Sequence, residues 1–117
     1  LAGARAARQA GFTHMLTMDA DGQHDCDSIP RFMAASAAEP GALILGLPEF
    51  DASAPTERLI GRRFANFFAR FETLAPIGDC LFGFRVYPVA DLIAALGATR
   101  WARRFDFDPE AAIRLAW

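Results

Sequence analysis

Asp19 and Asp21 stand two apart in "DADGQH", directly after the apolar segment "THMLTM", and Asp25 and Asp27 follow within a few residues. At the end of a strand, side chains two apart point to the same side, so Asp19 and Asp21 converge while small Ala20 faces away. Gly22 lets the chain turn sharply there. Carboxylates brought together in this way repel one another unless something positive sits between them. A hard divalent cation, Mg2+ or Mn2+, is the simplest answer, because it takes one or two carboxylates and completes its shell with water and phosphate oxygens. The chemistry indicated is the handling of a phosphate or diphosphate with a metal. An Asp-Gly turn after a strand is also a common solvated loop, so the neighbours decide. An EF-hand beginning at Asp19 would need Gly at His24 and Glu at Pro30, and fails.

The elements that must position these groups are legible from periodicity and punctuation. Residues 1–9, rich in Ala and Arg, read as a helix closed by Gly11. "THMLTMD" reads as a buried strand. After the acidic loop, Ser28 is placed to cap a helix that starts near Pro30 and ends before Pro40 and Gly41. "ALILGLP", residues 42–48, reads as a second strand, apolar on both faces as in a covered parallel sheet. Residues 57–74 form the longest helix. Within it, Phe64, Phe67, Phe68 and Phe71 recur at i, i+3, i+4 and i+7 as one aromatic stripe, with Arg58 and Arg62 on the opposite side. The stripe is expected to be core. Exposed beside arginines, it would instead make an interfacial helix. Arg58, Arg62 and Arg70 have a plain alternative as the helix's wet face. Pro76 and Gly78 stop the helix. "CLFGFRVYP" reads as a strand with a glycine inside it, "VADLIAAL" as a helix closed by Gly97, and "RRFDFDPEAAIRLAW" as a short strand leading through Asp108 as N-cap into a final helix. Alternating β and α units imply a single α/β layered domain over 1–117 with a mainly parallel sheet flanked by helices. In such sheets ligands sit at the carboxyl ends of the strands, where the DADGQH cluster falls.

Composition narrows the function. With 53% hydrophobic residues, 22% charged residues and a net charge of -2, the chain can build a core. A pI near 5.6 excludes a general nucleic-acid binder, which needs a basic excess. All twelve basic residues are arginines, which excludes Schiff-base lysine chemistry and the Walker A lysine. It also argues against a haloacid dehalogenase type of phosphatase, which needs a lysine and Thr or Val at Gln23. Cys26 and Cys80 show no CxxC spacing and read as small packing residues in a reducing, cytoplasmic setting. No run is long and apolar enough to cross a membrane, and no stretch reads as a signal peptide with a basic start and an A-x-A exit. Residues 1–10 read as helix interior with no preceding cap, so the N-terminus is expected to be a cut edge.

Three segments then match one family in order. "DADGQH", preceded by "ARAARQAGFTH" and followed by "DSIPRF", resembles the DxD region of family 2 glycosyltransferases, particularly the dolichyl-phosphate mannose synthase-like, polyprenol-dependent branch. "DCLFGFRVYP" resembles the D-x-x-x-GFR segment on the acceptor side of those enzymes. "RRFDFDPEAAIRLAW" resembles the F-x-x-E helix start that follows. The resemblance implies a GT-A, Rossmann-like fold, here without much of the N-terminal nucleotide-binding half. The Q-x-x-RW motif of processive members is missing, since Gly97 stands where its glutamine would be in the run to "TRW". A cellulose- or chitin-synthase-like activity is thus not expected.

By this resemblance the reaction is inverting transfer of a sugar from a nucleotide-diphosphate sugar, with Mg2+ or Mn2+ stabilising the leaving diphosphate. Asp21 is the first choice as metal ligand. Asp19 contacts the metal or the ribose, Gln23 is an outer ligand or sugar contact, and His24 bonds a phosphate or the loop. Gly83 either keeps space for the donor sugar or marks a bulge. A hydroxyl acceptor needs a base, for which Asp79 is best placed, with Asp106 and Glu110 behind it. A polyprenyl phosphate or similar lipid-linked acceptor is already an anion and needs arginines instead: Arg85 first, then Arg62, Arg63 and Arg104. Such an acceptor implies peripheral contact with the cytoplasmic face of a membrane. Two other readings share the motif: a metal-dependent phosphotransferase or nucleotidyltransferase, and an inactive fragment that only binds a partner.

Overall fold

The computed structural model of the protein describes residues 1–20, 24–49, 56–97 and 107–116. Helix α1 (Ala2–Gln9) ends where Gly11 takes a left-handed φ of 84°, a conformation glycine adopts without strain. Strand β1 (His14–Thr17) follows. A 3-10 turn (Cys26–Ser28) leads into α2 (Ile29–Ala38). Asp25, rather than Ser28, organises this start: its carboxylate accepts the Asp27 amide at 2.9 Å and the Ser28 hydroxyl at 3.1 Å. Then come β2 (Ile44–Leu45), α3 (Thr56–Thr73), β3 (Arg85–Pro88), α4 (Val89–Gly97) and α5 (Phe107–Ala116). The final helix begins one residue before Asp108, which therefore lies inside it. The short strand expected just before it lies outside the described residues.

The expectation of a mainly parallel, GT-A-like sheet is corrected. Among the described residues the sheet has three strands in the order β1-β3-β2, and β3 is antiparallel to both neighbours. Thr17 faces Arg85 and His14 faces Pro88 across one ladder, and Leu45 faces Arg85 across the other. It follows that β1 and β2 run in the same direction and are joined through α2, as the alternation suggested, but β3 is inserted between them. The physical reason lies in the segment before β3. The Thr17 hydroxyl donates to Gly83 O at 3.2 Å, and the Gly46 amide donates to Phe84 O at 2.9 Å. The chain is thus pinned at the carboxyl ends of β1 and β2 and must enter β3 from that end, against their direction. Asp79 accepts the Leu81 and Phe82 amides, which keeps that stretch in a loop, and β3 spans four residues.

β3 is the buried centre of the sheet at every position, whereas β1 and β2 are half-buried edges. One core cluster gathers Ala4, Tyr87, Leu92, Leu96 and Ala111, where α1, α4 and α5 meet one face of β3. A second gathers Ala69, Ile77, Cys80 and Ala112 between α3, α5 and the lead-in to β3. The aromatic stripe of α3 is not in either. Phe64, Phe67 and Phe68 are 61 to 62% exposed and Phe71 is 72% exposed, so the expectation that this stripe is core is overturned. What α3 turns inward is its other face: Ala69 is buried and Arg62, Asn66 and Thr73 are half-buried. Polar bonds to the segment after the helix hold it there, as described below. Among the described residues no helix is long and apolar enough to cross a membrane.

Candidate functional site

Three loop ends converge where β1 and β2 finish and β3 begins. Asp19, two residues past β1, leans over Gly83, two residues before β3. A Cβ built on Gly83 would lie 2.6 Å from Asp19 Oδ2, so a side chain at position 83 would push the Asp19 carboxylate away from the backbone it now rests on. Gly46, just past β2, is a second such point: a Cβ there would meet the Phe82 ring and the Phe84 carbonyl at 2.8 Å. The sequence-distant "DADGQH" and "GFR" segments are therefore in direct contact.

Asp19 itself is open to solvent, its side chain 65% exposed, while His24 beside it is only 3% exposed. His24 Nε2 lies 3.4 Å from Asp19 Oδ2. Its ring is wedged against Phe82 and Phe84, at centroid distances of 4.9 and 5.3 Å, and Phe32 stacks on Phe84 at 4.3 Å. Among the described residues His24 Nδ1 has no hydrogen-bond partner although it is buried. Aromatic walls thus hold the imidazole and present one nitrogen to the carboxylate. Asp21 and Gln23 lie outside the described residues. Among the described residues no group of three or more metal-ligating side chains occurs. A Mg2+ or Mn2+ ion that draws most of its shell from water and phosphate needs only one or two carboxylates, and exposed Asp19 fits that demand.

Asp79 is 4% exposed and fully engaged. Oδ2 accepts Arg62 at 2.8 Å, and Oδ1 accepts the Leu81 and Phe82 amides at 2.8 and 3.1 Å. Its role in this structure is to clamp the loop that carries Gly83. Asn66 Oδ1 accepts the Cys80 amide at 2.9 Å, and Arg70 reaches the Ile77 and Gly78 carbonyls. Arg62, half-buried, and Arg70, which stays exposed, are therefore braces between α3 and this loop. Arg58's side chain lies outside the described ones. Burial, reinforced by the Asp79 charge, pushes the Cys80 thiol up, which leaves it unreactive.

Arg85 is completely buried. Nε donates to Phe82 O and Nη1 to Asp108 O, both at 2.6 Å, and Asp108 Oδ1 lies 3.8 Å from Nη1. Nη2 has no partner among the described residues. Burial of a guanidinium is costly unless it is bonded, and these bonds tie β3 to the start of α5. Tyr87 joins them by donating to Asp108 Oδ1 at 3.1 Å. Burial first, and the Asp108 charge second, push its phenol up to about 12, while the Arg85 charge works against them. Arg63 is exposed in an apolar groove of about 400 Å³ with Ile60, Phe64 and Phe67. Glu110 pairs with Arg114 one turn along α5. Arg104 and Asp106 lie outside the described residues.

The structure thus brings together Asp19, Gly83, Asp79 and Arg62 at one end of the sheet, and puts Arg85 in the adjoining core. Sequence reasoning missed Gly46, Asn66, Tyr87 and the aromatic cage of His24. Gly46 carried a signal, since a glycine inside a strand-like run often marks close backbone approach. Compared with protein-family models, curated proteins and solved structures, the chain matches none.

Proposed function

We propose that this chain carries the donor-phosphate and acceptor-facing part of an inverting glycosyltransferase of the family 2 type, which moves a sugar from a nucleotide-diphosphate sugar to a polyprenyl phosphate or other lipid-linked acceptor. The observation that carries the reading is the seating of Asp19 on Gly83. It joins the segment resembling a DxD motif to the segment resembling an acceptor-side GFR, so that a transferred group at this end of the sheet would meet both. Asp19, with Asp21 beside it in sequence, would hold Mg2+ or Mn2+. That ion, bound with the donor, supplies charge neutralisation for the leaving diphosphate. His24 orients the Asp19 carboxylate from its aromatic cage, and the Asp79–Arg62 clamp fixes the loop on which Gly83 sits.

The acceptor class follows from proton accounting. A hydroxyl must lose a proton to attack the anomeric carbon, and Asp79, the first choice as base, has both oxygens committed to Arg62 and to loop amides. A phosphate monoester is already ionised near neutral pH and attacks without a base, which favours the lipid phosphate. A cytoplasmic location, where unpaired Cys26 and Cys80 stay reduced, goes with this reading.

The test is nucleoside diphosphate release from a panel of UDP- and GDP-sugars by the protein as the cell makes it, with Mn2+ or EDTA and with or without polyprenyl phosphate. Metal-dependent release that rises with the lipid is expected. Gly83→Ala, which displaces the Asp19 carboxylate, should lower it about 100-fold, as misplacements of about 1 Å do. Release that is indifferent to both metal and Asp19→Asn would overturn the assignment. Phosphate transfer without sugar transfer would move it to the phosphotransferase reading.

A further inference from the structure

The imidazole beside Asp19 is held by rings that are themselves seated. Phe82 and Phe84, on the lead-in to β3, stand tilted against His24 at interplanar angles of 60° and 56°. Phe32 of α2 lies nearly parallel to Phe84, 17° apart, and braces it. Phe82 rests in turn on Gly46 at the end of β2, where any Cβ would run into its ring. Three segments of the fold therefore fix one side chain. A phenyl or leucine side chain would fill this cage without a buried nitrogen left unpaired, as His24 Nδ1 is among the described residues. Since a buried polar atom without a partner lowers stability, packing alone does not account for an imidazole here. The neighbouring carboxylate does.

Of the two neutral tautomers, the surroundings select one. With the proton on Nδ1, a buried N–H would lie in the cage without an acceptor, and the Nε2 lone pair would meet a carboxylate, which can only accept. With the proton on Nε2, the ring donates toward Asp19 Oδ2, 3.4 Å away, and only a lone pair is left unpaired. A neutral donor of this kind also leaves the carboxylate its charge, which an arginine or lysine partner would offset. Oδ2 is thereby engaged, whereas Oδ1 accepts no hydrogen bond among the described residues. Resting on the reading of Asp19 as a metal carboxylate given above, we propose that His24, fixed as the Nε2–H tautomer, is a positioning residue: it holds Oδ2, leaves Oδ1 for the cation, and so sets the affinity of the site for Mg2+ or Mn2+. Phe32 acts through Phe84 on the same ring.

The experiment has two readouts. In the metal-free protein, two-bond proton–nitrogen correlation spectra separate the tautomers, and the signals that vanish in His24→Phe distinguish this ring from His14, the chain's other histidine. A pure Nε2–H pattern is expected, and a mixed one in Asp19→Asn, whose amide can accept or donate. Mn2+ affinity is then measured by electron paramagnetic resonance of the free ion, with UDP or GDP present. His24→Phe, which fills the cage but cannot donate, should weaken Mn2+ binding about 10- to 100-fold, and Phe32→Leu should weaken it by less. His24→Gln, whose amide can donate to Oδ2, should recover most of the loss, which a role in packing alone would not allow. Circular dichroism and thermal unfolding establish that each variant is folded. The proposal is overturned by an Nδ1–H or mixed pattern in the parent, by His24→Phe binding Mn2+ as the parent does, or by His24→Gln binding it no better than His24→Phe. If the parent binds no Mn2+, or Asp19→Asn binds it equally well, the reading of Asp19 itself fails and the proposal falls with it.

Discussion

At the scale of single residues, the hydrogen-bond networks separate groups open to a ligand from groups that hold the fold. Asp19 is exposed, with His24 as its hydrogen-bond neighbour among the described residues, whereas Asp79 and Tyr87 are buried and bonded, and Arg85 is buried and bonded through Nε and Nη1. The residue types were visible from their spacing, but this division was not, because burial depends on what the rest of the chain packs over them. Tyr87 gives a direct check, since it is the chain's one tyrosine. Phenolate absorbance should rise only around pH 12 in the folded protein, against about 10 for a free phenol. The sign for stability follows. Above pH 10 the unfolded chain gives up the tyrosine proton while the folded one keeps it, so the unfolded state binds fewer protons. Stability should therefore fall as pH rises from about 10 through about 12, and urea unfolding at stepped pH measures this.

Among the secondary-structure elements, helices were read nearly to their ends. The stretch read as 57–74 is observed as Thr56–Thr73, because periodicity sustained over five turns is a strong signal. Its stop was attributed to Pro76 and Gly78, yet the residue that ends it is Leu74, with a left-handed φ of 54°. That conformation strains a side chain bearing a Cβ. With its side chain almost wholly in solvent, Leu74 has little packing to lose, so Leu74→Gly should raise stability by about 0.5–1 kcal/mol. Chemical denaturation of the two proteins decides it, and an unchanged or lower midpoint would mean that the strain is relieved elsewhere. The strands were read too long. "CLFGFRVYP" has an apolar, aromatic run that suits a strand, but Asp79's bonds to the Leu81 and Phe82 amides convert its first half into a loop.

For the whole molecule, one clamp ties α3 to the lead-in of β3. Arg62 and Asn66 on α3 grip Asp79 and the Cys80 amide, and this holds the segment that the contacts of Gly83 and Phe84 pin to the ends of β1 and β2. Removing one partner of a partly buried ion pair costs about 3–5 kcal/mol. Asp79→Ala also strands two loop amides, so a loss in that range is expected from denaturant unfolding, although Arg62 keeps other interactions. The same variant should make the Cys80 thiol, buried in the parent, react with a thiol reagent at a rate approaching that of exposed Cys26. A variant of parental stability with an unreactive Cys80 would show that the clamp does not hold this part of the fold.

Local order along the chain belonged to the sequence alone. The positions of α1 to α4, the acidic turn after β1, the sharing of one helix face by Phe64, Phe67, Phe68 and Phe71, and the absence of any lysine chemistry all follow from residue type and spacing. Two matters were left to the tertiary structure. Alternation of strand and helix does not encode which strands become neighbours or in which direction they pair, and here β3 entered between β1 and β2 against both, because its lead-in was tied to their ends. Periodicity likewise states which residues share a face, not which face turns inward. On α3 the inward choice went to the side with Arg62, Asn66 and Ala69, since those residues found partners in the Asp79 loop and the core beside it, and the rings were left outside.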